Sequence, residues 1–271
     1  METLAGKISH HTLERITSHF GLREVHGEGG GAFLPLVATS FGNIPAGDFR
    51  LWHGGDRLQK VVYTGITVEA IGLDSHMIFA FTRHDSLVPT FTLDSVYTRM
   101  PPDMDPNFPA GGDMYAFHLD LVPRCDLGVN GAYMQRCYEP LTEAQAKALA
   151  SDGVYAAQLS PLQRAIMSPW MLAQRTTPDA YENAIFPVAD AYLEHWLALV
   201  DGGIDDISET IQGECGASRD ASNRALIFNR EVDPVWNKID MMLGADVSNC
   251  MIDVLRSQQV ESKAPVSAAA S

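Results

Sequence analysis

Cysteine is scarce in this 271-residue chain: there are four, Cys125, Cys137, Cys215 and Cys250, with no C-x-x-C pair among them. That spacing excludes a zinc knuckle or a dithiol redox motif and fits a reducing compartment. Long apolar runs are missing too. The oiliest stretch, residues 191–200, is interrupted by Glu194 and His195, so no segment reaches the 18 or so residues needed to cross a bilayer. Basic residues are few, 19 Lys and Arg against 34 Asp and Glu, and the net charge of −15 argues against a nucleic-acid partner, which needs clustered cations. No G-x-S-x-G, H-E-x-x-H or P-loop occurs, and Cys215 has no histidine close in sequence to activate it. The start, Glu2 followed by a polar, His-containing segment, has the order of neither a secretory signal nor a transit peptide. A soluble, cytoplasmic protein is expected.

Apolar residues make up 46% of the chain, enough to bury roughly three quarters of the unfolded surface in one large core or two smaller ones. Ile8, Leu13, Ile16 and Phe20, with Ser9 as cap and Gly21 as stop, predict an amphipathic helix. The loop 27–31 matches a dinucleotide pattern through Gly27, Gly29 and Ala32. Residues 33–37 nevertheless read as extended chain, not the helix such a site opens, so the stretch is read as a flexible loop. Between 58 and 122, β-branched and aromatic residues separated by turn residues predict four antiparallel strands at 59–71, 73–82, 90–98 and 114–122.

The second half reads as helical. Thr142 with Gln145 and Ser160 with Gln163 have capping-box spacing, and Pro161 suits a first helical position. Residues 178–200 place Tyr181, Ile185, Val188, Tyr192, Trp196 and Leu199 on one stripe, which reads as core, and a last helix begins near Asp246. Strands followed by helices predict an α+β fold, an antiparallel sheet covered by helices, with one domain over residues 1–257 and a disordered tail over 258–271.

Period-two alternation shows which side chains share a face of each strand. Asp74 and His76 point one way in the second strand, Thr92 and Asp94 one way in the third, His118 and Asp120 one way in the fourth. If pairing brings those faces together, His76, Asp94, His118 and Asp120 form a pocket floor; otherwise they are the solvated face of a half-buried sheet. Asp94 fits the solvated reading least, because aspartate is depleted in mid-strand and burial there keeps a carboxyl protonated, as a proton donor requires. Asp120, at a strand end before Pro123, is read as structural.

The segment FHLDLVPRCDLGVNGAYMQRCYEPL at 117–141 resembles the red chlorophyll catabolite reductases, where a strand ending in L-D-L-x-P-R leads through an acidic turn to a Tyr-rich stretch. P-T-F-T-L-D at 89–94, with Asp120 and Pro123, is similar to the wider ferredoxin-dependent bilin reductase pattern, and so is the downstream order SPLQRAIMSPWMLAQ, NREVDPVW and LGADV. The resemblance spans roughly residues 58–256. It implies an α/β/α sandwich, reduction of an open-chain tetrapyrrole with electrons from ferredoxin, and no bound flavin, nicotinamide or metal. It also implies Asp94 and Asp233 as proton donors, although Asp233 precedes Pro234 and is equally placed to cap a helix. His76, His118, Arg99 and Arg124 are the candidates for holding the substrate.

Red chlorophyll catabolite reductases carry Glu where this chain has Asp94, the usual bilin reductase residue, so a phycobilin-type reductase stays open, as does a non-catalytic bilin binder. A plastid location fits if a transit peptide has been removed. Ferredoxins are acidic, so docking on a chain at −15 needs a basic patch. Arg219, Arg224, Arg230 and Lys238 form the densest cationic stretch.

Overall fold

A computed structural model describes residues 2–27, 29–101, 108 and 111–260. Among these, nine strands form one antiparallel sheet: β1 (Arg23–Val25), β2 (Leu34–Ala38), β3 (Ile44–His53), β4 (Leu58–Val68), β5 (Leu73–Thr82), β6 (Thr90–Met100), β7 (Gly112–Val122), β8 (Val154–Ala156) and β9 (Leu172–Thr176). Their order is β1-β3-β4-β5-β6-β7-β9-β8, with β2 also paired to β3. The four expected strands are β4 to β7, adjacent in sequence and in space. Strands β1, β3, β8 and β9 were not foreseen, and the extended reading of 33–37 corresponds to β2.

Helices cover both faces. On one lie α1 (Leu4–His19), α2 (Gly131–Cys137), α3 (Thr142–Leu149) and α6 (Phe186–Gly202), packed on Val61, Ile78, Phe91, Phe117 and Leu119. On the other, α8 (Gly216–Ile227), α9 (Val235–Leu243) and α10 (Ala245–Arg256) bring Phe228, Trp236, Ile239 and Leu255 onto Phe49, Val62, Met77, Phe79 and Phe81. Short helices α4 (Pro161–Ile166), α5 (Pro178–Ala180) and α7 (Asp205–Ser208) complete the set, and a π-helical turn, Tyr181–Ile185, joins α5 to α6. The fold is α+β, helices on both faces of an antiparallel sheet. Each buried large side chain contributes roughly 1.5–3 kcal/mol, and the two cores hold Trp196 and Trp236 respectively, both almost fully buried.

Local signals held unevenly. Ser160 and Gln163 make both bonds of a capping box, with Pro161 beside them. The Thr142–Gln145 box does not form, because a 3-10 turn at Glu139–Leu141 runs straight into α3 and leaves no free helix start to cap. In α1 the cap is Thr3, whose Oγ1 accepts from the Gly6 amide; Ser9 is buried inside the helix. The stripe from Tyr181 to Leu199 is buried, as expected of core.

A charged knot fastens the second helical layer. Asp220, 1% exposed, accepts from Arg124 Nη1 at 2.5 Å and from Arg224 Nε at 2.9 Å. Arg224 also reaches the carbonyls of Leu255 and Ser257 and Oε1 of Gln59, and lies 3.8 Å from the centroid of the Phe81 ring. Gln258 donates to Asp220 at 2.8 Å and Lys60 to the Gln259 carbonyl at 2.9 Å, so the first residues of the expected tail are fastened down. Its remainder, 261–271, lies outside the described residues. Removing Asp220 takes from two buried guanidinium groups the carboxylate they share. Asp220→Ala should therefore lower the unfolding free energy by about 3–5 kcal/mol in urea titration; a loss under about 1 kcal/mol would mean that the knot is dispensable.

Candidate functional site

Antiparallel register sets the floor of the site. Met77 pairs with Asp94 and Asp94 with His118, so these three side chains stand in a row on the face covered by α8 to α10. Thr92 pairs with Asp120 on the same face. Opposite the row, the turn between α8 and α9 lowers Asp233 toward the sheet. Asp94, His118, Met167, Asp233 and Val235 line both of two adjoining hollows, of about 170 Å³ and about 40 Å³. Gln163, Met171, Ala173 and Gln174 close the larger one, Trp236 and Phe228 the smaller.

Two carboxyls thus enter one apolar space from opposite layers. Burial, reinforced by the nearby Asp233 carboxylate, pushes Asp94 up to about 7, and its buried Oδ1 has no hydrogen-bond partner among the described residues. Burial also raises Asp233, only partly offset by the Val235 amide, which donates to Asp233 Oδ1 at 3.1 Å, and by Lys238. Asp233 therefore both accepts from the first amide of α9, two residues on, and faces the hollow, while the N-cap position itself falls to Pro234. His118 is pushed down to about 4 by burial, which makes it a neutral imidazole near pH 7. No cationic side chain lines either hollow among the described residues. Such a site can hold protons at neutrality and deliver them to a bound, largely apolar molecule.

Other expected site residues lie elsewhere. His76 pairs with Ser95, not Asp94, and so lies on the α1 face. There it belongs to a chain: Glu2 Oε1 to His10 Nδ1 at 2.6 Å, His10 Nε2 to Tyr63 OH at 2.9 Å, Tyr63 OH to His76 Nδ1 at 2.7 Å. Its Nε2 is 3.0 Å from Asp74 Oδ1, within ion-pair distance but poorly aligned for a hydrogen bond. Although burial alone would raise Asp74, the adjacent His76 imidazole and hydrogen bonds from Thr3 and Thr67 hold it well below the usual carboxylate range.

The two arginines are corrected as well. Arg99 is on the α1 face, exposed, and 3.9 Å from Asp113. Arg124 is fully buried in the Asp220 knot and donates to Thr90 and to the carbonyls of Arg83 and His84. Neither reaches the hollow. Asp120, read as structural, is fully buried and accepts from the amide and hydroxyl of Ser168.

The expected basic patch also dissolves, because Arg224 is buried against Asp220 and Arg230 is paired with Asp240 at 2.6 Å. Residues of the wall that pattern reading missed, Gln163, Met167, Ala173 and Gln174, come from α4, the residue following it and β9. The Ser160–Gln163 box located α4 without saying what it faces. Arg175, on β9 opposite Ala116, shares the face of His118 and stands toward the β8 edge.

No family model and no curated protein matches the sequence. Among solved structures, the crystal structure of phytochromobilin synthase from tomato in complex with biliverdin is similar, with a TM-score of 0.63 at 19% identity over 92% of this chain and 80% of that one. At this identity the likeness shows a shared fold.

The titration of Asp94 is open to test through stability. An acid whose folded value lies at about 7 against an unfolded value of about 3.9 binds its proton more tightly in the native state, so it destabilises progressively as pH rises from about 4 to about 7. Asp94→Asn lacks that loss. The variant should match wild type in thermal unfolding near pH 4 and exceed it at pH 8; a pH-independent difference would contradict a proton-holding Asp94.

Proposed function

We propose that this chain reduces an open-chain tetrapyrrole, taking electrons one at a time from reduced ferredoxin and protons from Asp94 and Asp233. The observation that carries this reading is the pair of carboxyls entering one apolar hollow from opposite layers, both raised by burial, with no cation lining the hollow among the described residues. Saturating one carbon–carbon double bond takes two electrons and two protons. Each electron turns the bound pigment into a more basic radical or anion, which takes a proton from the nearer carboxyl; the acid is then refilled from solvent. His118, neutral and cross-strand from Asp94, offers a nitrogen to orient a pyrrole or lactam edge. General acids of this kind typically contribute about 10²–10⁴-fold.

For the substrate, a biliverdin-type pigment is favoured. Asp94 stands where the bilin reductases carry Asp, and the tomato enzyme of like fold was crystallised with biliverdin. A red chlorophyll catabolite is the second reading, supported by the run 117–141. Within that run, however, Asp120, Arg124, Tyr133 and Tyr138 are buried in the scaffold, and the run's contributions to the hollows are Phe117 and His118. The run therefore speaks to fold more than to substrate.

Anaerobic absorbance spectra of the protein with biliverdin, and separately with a red chlorophyll catabolite, before and after reduced ferredoxin, test the reading. Binding should shift the bands, and ferredoxin should then bleach them with time. Asp94→Asn should keep affinity within about threefold, lose at least about 100-fold in turnover and accumulate an organic radical visible by paramagnetic resonance. A bound spectrum that ferredoxin leaves unchanged for both pigments would make the chain a binding protein.

A further inference from the structure

Asp120 is a buried carboxylate that the chemistry above does not use. It is fully buried, lines neither hollow, and has no cationic partner among the described residues. Both of its side-chain hydrogen bonds go to one residue: the Ser168 amide donates to Oδ2 at 2.8 Å and the Ser168 hydroxyl to Oδ1 at 2.5 Å. Desolvating a carboxyl is costly unless its bonds return the energy, so a group placed here holds Ser168 strongly. Burial raises it to about 7 even with those bonds.

Ser168 follows Met167, which touches both hollows, and the segment 157–171 supplies one side of the larger hollow through Leu159, Gln163 and Met167. Its two ends are tied differently from its middle. At the start, the Ala157 amide donates to the Ala173 carbonyl at 2.9 Å. At the end, besides Asp120, Tyr192 donates to the Trp170 carbonyl at 2.6 Å and Trp170 Nε1 to Thr142 at 2.9 Å. Between them, the described hydrogen bonds of 158–167 stay within the segment, in the Ser160–Gln163 box and the helix it starts. The enclosed space, about 170 Å³ with about 40 Å³ beside it, falls short of the roughly 300–1,000 Å³ of sites that enclose drug-sized ligands. The α4 wall is the part of the lining that can yield without breaking sheet or tertiary hydrogen bonds.

Resting on the tetrapyrrole reading, we infer that Asp120 is a positioning residue: through Ser168 it fixes the pivot on which α4 moves aside to admit the pigment and returns to hold it. It acts on fit and not on proton transfer. The variants are Asp120→Asn, which keeps shape but turns an amide hydrogen toward a donor, and Ser168→Ala, which removes the hydroxyl's bonds to Asp120 and from the Trp170 amide but keeps the backbone tie.

Biliverdin affinity should fall about tenfold in Asp120→Asn and less in Ser168→Ala, while single-turnover reduction of saturated protein stays within about threefold of wild type. Amide hydrogen exchange should accelerate over 158–170 and not in α1 or α10. Wild-type affinity in Asp120→Asn, or exchange accelerated evenly across the chain, overturns the inference. So does a collapse of single-turnover rate at unchanged affinity, which would make Asp120 a proton donor. Should the wild-type protein bind neither biliverdin nor a red chlorophyll catabolite, the tetrapyrrole reading fails, while the exchange measurement on the unliganded chain still decides the pivot.

Discussion

The hollow exists because α8 and α9 are held over the sheet, and that hold runs through the carboxylate of Asp220. It pairs with two buried guanidinium groups, one rooted at the end of β7 and the other in α8 itself. The turn that carries Asp233 begins where α8 ends, so the ion-paired knot acts together with the apolar contacts of Phe228 and Trp236 in setting the separation of the two site carboxyls. Such a knot is directional. Apolar surfaces can slide by an ångström at little cost, whereas a carboxylate between two buried arginines has few alternative positions. A site that needs two acids at a fixed spacing gains from that stiffness.

Within the hollow the governing term is desolvation. Burial raises both Asp94 and Asp233, and the Asp233 carboxylate makes ionisation of Asp94 harder still. Acid–base character here comes from what is missing around the carboxyls. A single lysine or arginine in the lining would pull both groups down and leave them ionised at neutrality.

Much of this was legible in the sequence, for identifiable reasons. The alternation of β5, β6 and β7 told which side chains of each strand share a face, and grouped Asp94 with His118. It could not say how neighbouring strands line up, and a shift of one residue puts His76 on the opposite side of the sheet. Arg124 resembled a surface arginine because its partner, Asp220, is 96 positions away. Asp233 came from resemblance alone; its local signal, an acid before Pro234, is that of a helix start, where its carboxylate accepts from the Val235 amide. β9 is only five residues long and its contribution to the wall carries no pattern of its own.

On the far face, three hydrogen-bond contacts of 2.6–2.9 Å run from Glu2 through His10 and Tyr63 to His76. The Tyr63 hydroxyl carries one hydrogen, so it donates to one of its two imidazole neighbours and accepts from the other. The tautomer of His10, on α1, is therefore tied to that of His76, on β5, and the contact between helix and sheet gains a directionality that apolar packing alone does not impose.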